Sequence, residues 1–214
     1  MASFRVCTAE EIGFHFPNYY DYSLSLKLPL GRSRELDPIV YGLCGGMCYA
    51  ALDYYHAGLP VPNRTAVPKP GERLFRYLFK RQMDSFQLPM GPLRIVRWMF
   101  RGDEAVARST IEKEFPRLRD SIARGQPPVL LMIYAGAWES PTQNHQVVAV
   151  GFDLDEAAQR VTIPIYDPNY PGDEPTLHLD LRPSLATLNQ STGEPLRGFF
   201  LQGYRPKNKG LQDL

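Results

Sequence analysis

Two consecutive prolines, Pro127 and Pro128, divide the chain into stretches of different texture, and no other feature constrains the fold as much. Proline has no amide hydrogen and a fixed φ, so neither a helix nor a central strand runs through such a pair. Before it, apolar residues recur at intervals of three and four. Over 45–57 the residues Met47, Ala51, Leu52 and Tyr55 share one helical face, and Gly58, Pro60 and Pro62 stop the run. The same spacing predicts helices over 72–83, 92–100 and 116–123, the second opened by proline and the third closed by Gly125. After the prolines come short β-rich runs over 129–134, 146–152, 161–166, 177–181 and 198–204, separated by Gly, Pro, Asn and Asp. Residues 1–43 read as loops with one short strand at 14–16. The expectation is a single α+β domain in which a mainly helical part, 1–126, packs beside an antiparallel β-sheet part, 127–214, with a cleft between them.

Charge narrows the possible roles. Lys and Arg number 24 and Asp and Glu 23, a net charge of +1, so no overall field gathers the chain onto nucleic acid or anionic lipid. Residues 72–101 carry net +5 and residues 151–180 net −6, which reads as two solvated faces. No apolar run reaches the roughly 18–20 residues of a membrane span, and the N-terminus lacks the basic start and apolar core of a signal peptide. Neither a nucleic-acid nor a membrane partner is expected. Three cysteines, two of them only four apart, suit free thiols in the cytoplasm better than a disulfide. The four histidines lack zinc-ligand spacing, and no phosphate loop, dinucleotide fingerprint or serine elbow occurs. Neither a metal nor a cofactor is implied.

What remains is thiol chemistry. A nucleophilic sulfur must be ionised near neutral pH, and a helix N-terminus favours the anion through its unpaired amides and dipole. Cys44 stands at that point, with Gly45 and Gly46 keeping its approach open. Cys48, one turn deeper, reads as a buried small hydrophobe. The base should be a histidine on a rigid element, oriented by a third group. His145 opens the most apolar strand, and Asp167 closes the next. If those strands pair antiparallel through a turn near 155–159, the two residues become neighbours at one edge.

Cys44-Gly45-Gly46-Met47-Cys48-Tyr49, Asn144 to Gly151 and Tyr166-Asp167-Pro168-Asn169 resemble the papain-like cysteine peptidase superfamily, most closely its bacteriocin-leader-processing branch. The resemblance covers about 40–58 and 125–170. It implies a papain-like fold and a Cys44–His145–Asp167 triad cleaving a peptide or isopeptide bond of a peptide or protein substrate. Relatives usually carry an oxyanion-binding glutamine about six residues before the nucleophile; here that neighbourhood reads Asp37-Pro38-Ile39-Val40. Asn18 is the only Asn or Gln upstream of Cys44, and so becomes the candidate donor. Gly46-Met47-Cys48-Tyr49-Ala50 also resembles the stretch around the nucleophile of papain, which leaves Cys48 as an alternative. An acyltransferase or transglutaminase-like enzyme with the same triad, or a papain-like binding module with little turnover, are the competing readings.

Overall fold

The computed structural model describes residues 2–22, 25–27, 33–35, 39–182 and 187–214, with only the backbone described for those between 21 and 41. The chain enters through β1 (Ala2–Arg5) and α1 (Ala9–Ile12), then two small antiparallel pairs. In these, β2 (Tyr20–Tyr22) pairs with β5 (Ile39–Tyr41), and β3 (Ser25–Lys27) with β4 (Ser33–Glu35). The helices α2 (Cys44–Ala57), α3 (Arg73–Ser85), α4 (Met90–Met99), α5 (Asp103–Ser109) and α6 (Phe115–Ala123) follow. The remaining strands are β6 (Val129–Ile133), β7 (His145–Ala149), β8 (Gly151–Asp155), β9 (Arg160–Tyr166), β10 (Thr176–Asp180), β11 (Leu188–Gln190) and β12 (Gly198–Gln202).

Helix α2 is buried on every side from Gly45 to Tyr54, as its run of small and apolar residues requires. Gly58 closes it at φ +64°, a left-handed conformation that glycine adopts without strain. The main sheet is antiparallel throughout, in the order β1-β8-β9-β7-β6-β12, with β10 against β9 and β11 against β10. An α+β class therefore holds. All five residues of β6 are buried, because successive side chains enter different cores. Val129 packs with α2, Leu130 and Met132 with Phe115, Leu118 and Ile122 of α6, and Leu131 and Ile133 with Trp98, Val106 and Phe200.

The stretch 1–43, expected as loops with one short strand, carries α1 and the two small strand pairs, and three further features of the core and main sheet depart from the expectation. First, β1 belongs to the sheet although it lies in the expected helical part, far before its partner in sequence: it pairs with β8 from Ala2↔Leu154 to Arg5↔Gly151. Second, Phe14 and Phe16 form no strand but bury their rings in the α2 core, 5.2 Å apart. Third, the expected strand over 146–152 breaks at Val150. There β9 exchanges one partner for another across Pro164, which has no amide hydrogen to donate; the Val150 amide reaches the Pro164 carbonyl at 3.0 Å. The basic segment is not wholly solvated either, since Arg81 is fully buried against Asp53. Residues 36–38, part of the stretch where relatives carry the oxyanion glutamine, lie outside the described residues. Among the described residues no helix is long and apolar enough to cross a membrane.

Candidate active site

Cys44 is the first residue of α2 and stands partly exposed in a cleft of about 780 Å³ that is also lined by Asn18, Gln82, Ser85, Tyr134 and His145. The helix begins at Leu43 without a side-chain cap, so its first amides seek other partners. The Met47 amide makes the first helical bond, to Leu43 O at 2.8 Å, and the Gly46 amide is taken by Gln82 Oε1 at 2.8 Å. The Gly45 amide remains at the sulfur and is joined there by the amide of Gln146. Burial opposes ionisation of Cys44, but the charge and hydrogen bond of His145, with those two amides, outweigh it and hold the thiol below its ordinary range.

His145 is delivered by strand register. Val148 faces Tyr166 and Ala149 faces Ile165, so the start of β7 lies beside the residue that follows β9, which is Asp167. His145 Nε2 meets Asp167 Oδ1 at 2.6 Å, leaving Nδ1 as the nitrogen for Cys44. Burial alone would lower the imidazole pKa; the facing Asp167 and Cys44 reverse this and raise it to about 10. The two shifts depend on each other, and both favour the thiolate–imidazolium form of the pair.

Asp167 is itself buried and fully engaged. Its Oδ1 also accepts the Asn169 amide at 2.9 Å, and its Oδ2 accepts Gln190 Nε2 at 3.3 Å. Gln190 Oε1 in turn accepts the Tyr134 hydroxyl at 2.5 Å.

The structure separates the two neighbouring cysteines. Cys48 is buried, donates its S–H to Gln146 O at 3.2 Å, and is pushed well above the ordinary thiol range by burial and then by the nearby Cys44 and Asp167. Cys7 is also buried and pushed up to about 12, mainly by desolvation. Asn18 lies in the cleft as a brace: Oδ1 accepts the Leu43 amide at 2.5 Å, Nδ2 donates to Asn169 Oδ1 at 3.0 Å, and its own amide reaches Pro168 O at 2.9 Å. A Cβ on Gly42 would sit 2.7 Å from Asn18 Nδ2, so glycine there is what lets the amide approach.

Sequence reasoning missed Gln82, Ser85, Gln146, Tyr134 and Gln190. Gln146 carried a signal, as the one amide in an otherwise apolar strand. Gln190 carried none, because only the pairing of β11 with β10 brings it near Asp167. Among the described residues no group of three His, Cys, Asp or Glu side chains could hold a metal. Comparison of the chain with protein-family models, with curated proteins and with solved structures finds no match.

Proposed function

We propose that the protein is a papain-like thiol hydrolase that cleaves a peptide or isopeptide bond. The observation that carries this reading is the alignment of an ionisable Cys44 at the head of a buried helix, His145 across the cleft, and Asp167 at 2.6 Å behind it. The thiolate attacks a carbonyl carbon, and the negative charge moves to the carbonyl oxygen. The Cys44 amide and the remaining Nδ2 hydrogen of Asn18 take the role of stabilising that oxyanion. Collapse of the intermediate breaks the C–N bond as His145 gives its proton to the leaving amine. His145, now neutral, draws a proton from the water that hydrolyses the thioester. Asp167 holds the ring throughout without taking the proton. The free thiols suit a cytoplasmic setting, which belongs to the same proposal.

The test needs no knowledge of the substrate. With p-nitrophenyl acetate the protein should release a burst of p-nitrophenol equal to the enzyme present, with the acetyl group on Cys44 by mass spectrometry. A peptide library should then show cleavage by the wild type and none by Cys44→Ser. Absence of acyl transfer to Cys44 sinks the reading. Acylation of Cys44 with no bond cleaved in the library removes the peptidase assignment and leaves only the thiol chemistry.

A further inference from the structure

We infer that Tyr134 and Gln190 act as positioning residues for His145, through a relay that ties the wall of the cleft to the back of Asp167; the inference rests on the thiol-hydrolase reading. A carboxamide has two unlike ends, an acceptor oxygen and a donor nitrogen. Gln190 is buried between a phenol and a carboxylate, so its orientation matters. The Tyr134 hydroxyl donates to Oε1 at 2.5 Å, and this leaves Nε2 for Asp167 Oδ2 at 3.3 Å. The reverse orientation would set a carbonyl oxygen against the carboxylate. With Oδ2 held in this way, Oδ1 is left to His145 Nε2 and to the Asn169 amide.

The relay closes on itself. The amides of Tyr134 and Ala135 both donate to Asn144 Oδ1, at 3.0 and 3.1 Å, and Asn144 is the residue before His145. A circuit of hydrogen bonds and chain therefore runs from Asn144 through His145, Asp167 and Gln190 to Tyr134 and back, joining the ends of β6, β7, β9 and β11. Burial and the charge of Asp167 keep the phenol protonated, so it remains a donor across the working range. Tyr134 also lines the cleft. A substrate group pressed against its ring thus bears on the same circuit that aims the imidazole.

The relay is read from the pH profile of iodoacetamide alkylation at Cys44, followed by peptide mapping in wild type, Tyr134→Phe, Gln190→Leu and the double variant. Loss of one hydrogen bond to a charged group corresponds to about a tenfold to hundredfold slowing in Gln190→Leu on the acidic side. Tyr134→Phe should slow by roughly threefold to tenfold, as expected for a neutral donor. The rates should converge at alkaline pH, where any accessible thiol ionises. The double variant should be no slower than Gln190→Leu, because both act along one chain. Variants that fold and keep the wild-type profile overturn the relay, even if their melting temperatures fall. If Gln190→Leu does not fold, Tyr134→Phe decides, since it removes only one oxygen. A wild-type profile that follows an ordinary thiol defeats the thiol-hydrolase reading itself and takes the relay with it.

Discussion

Cys44 sits where burial alone would keep it a neutral thiol, and the charge of His145 is the largest influence that reverses this. Removing the imidazole should therefore expose the cost of burial. His145→Ala is expected to slow alkylation of Cys44 about a hundredfold near pH 6, since activated thiolates titrate at roughly 3.5–7.5 and free cysteine at about 8.5. The sign at the alkaline end differs for the two reactions. The pKa of His145 is raised to about 10, so above that pH the proton needed by the leaving amine is gone and turnover falls. Alkylation requires only the thiolate and stays fast. A turnover profile that instead rises through pH 10 would remove His145 from the acid role. Cys44, His145 and Asp167 were legible in the sequence because each stands at an element boundary, where a helix start and two strand ends are marked by Gly, Asn and Pro. Gln190 and Tyr134 were not legible, because the use of a carboxamide depends on which groups tertiary packing sets at its two ends.

Gly45 and Gly46 have a different reason at the level of the element from the one the sequence suggests. Both are helical, and what they permit is contact between α2 and α3. A Cβ on Gly46 would lie 2.2 Å from Leu78 O and 3.1 Å from the Gln82 amide nitrogen, both backbone atoms of α3. Alanine ordinarily improves a helix interior by about 0.5–1 kcal/mol. Here the steric term wins, because a packed helix backbone cannot move aside. Gly46→Ala should destabilise the protein by about 1–3 kcal/mol in urea unfolding. It should also slow Cys44 alkylation by pushing away Gln82, which holds the Gly46 amide. A variant of equal or greater stability would show that α3 is free to shift. Helix α3 itself was readable from its spacing, but the span from Asp103 to Glu114 was not. Pro116 reads as a helix start, yet α5 runs into α6 through a π-helical turn, Thr110–Glu114, where the Phe115 amide reaches Thr110 O. That wide turn brings the helix to the proline without a break. Thr110 Oγ1 anchors the turn, meeting the Phe199 carbonyl and amide at 3.0 Å each.

For the molecule as a whole, the polar feature that joins most elements is Asp53, a lone acid in the buried helix that carries Cys44. Its carboxylate accepts Arg81 Nη2 at 3.1 Å, the Tyr77 hydroxyl at 2.7 Å, the Tyr204 hydroxyl at 2.8 Å and the Lys207 amide at 2.8 Å. Arg81 also reaches Asp84 Oδ2 at 2.8 Å and Arg205 O at 3.0 Å, with its guanidinium over the ring of Tyr49 at 5.0 Å. Helices α2 and α3 and the C-terminal segment 203–207 are thereby joined around one charge pair. The sequence showed an acid inside an apolar helix and an arginine inside a basic segment, but three separate elements supply the partners, so their meeting was not readable. Asp53→Ala leaves a buried guanidinium short of its main counter-charge and the Tyr204 hydroxyl and Lys207 amide without their acceptor, while the Tyr77 hydroxyl keeps the Lys207 carbonyl at 3.1 Å. The expected loss is about 3–5 kcal/mol in urea unfolding. Arg81→Met should cost less, because Asp53 keeps the Tyr77, Tyr204 and Lys207 donors. The double variant Asp53→Ala, Arg81→Met should be more stable than Asp53→Ala alone, since it removes the stranded cation, and yet remain below wild type because the Tyr204 hydroxyl and the Lys207 amide stay unsatisfied. Strict additivity of the two single losses would mean that Arg81 and Asp53 stabilise the fold independently, and that the three elements are held together by apolar packing alone.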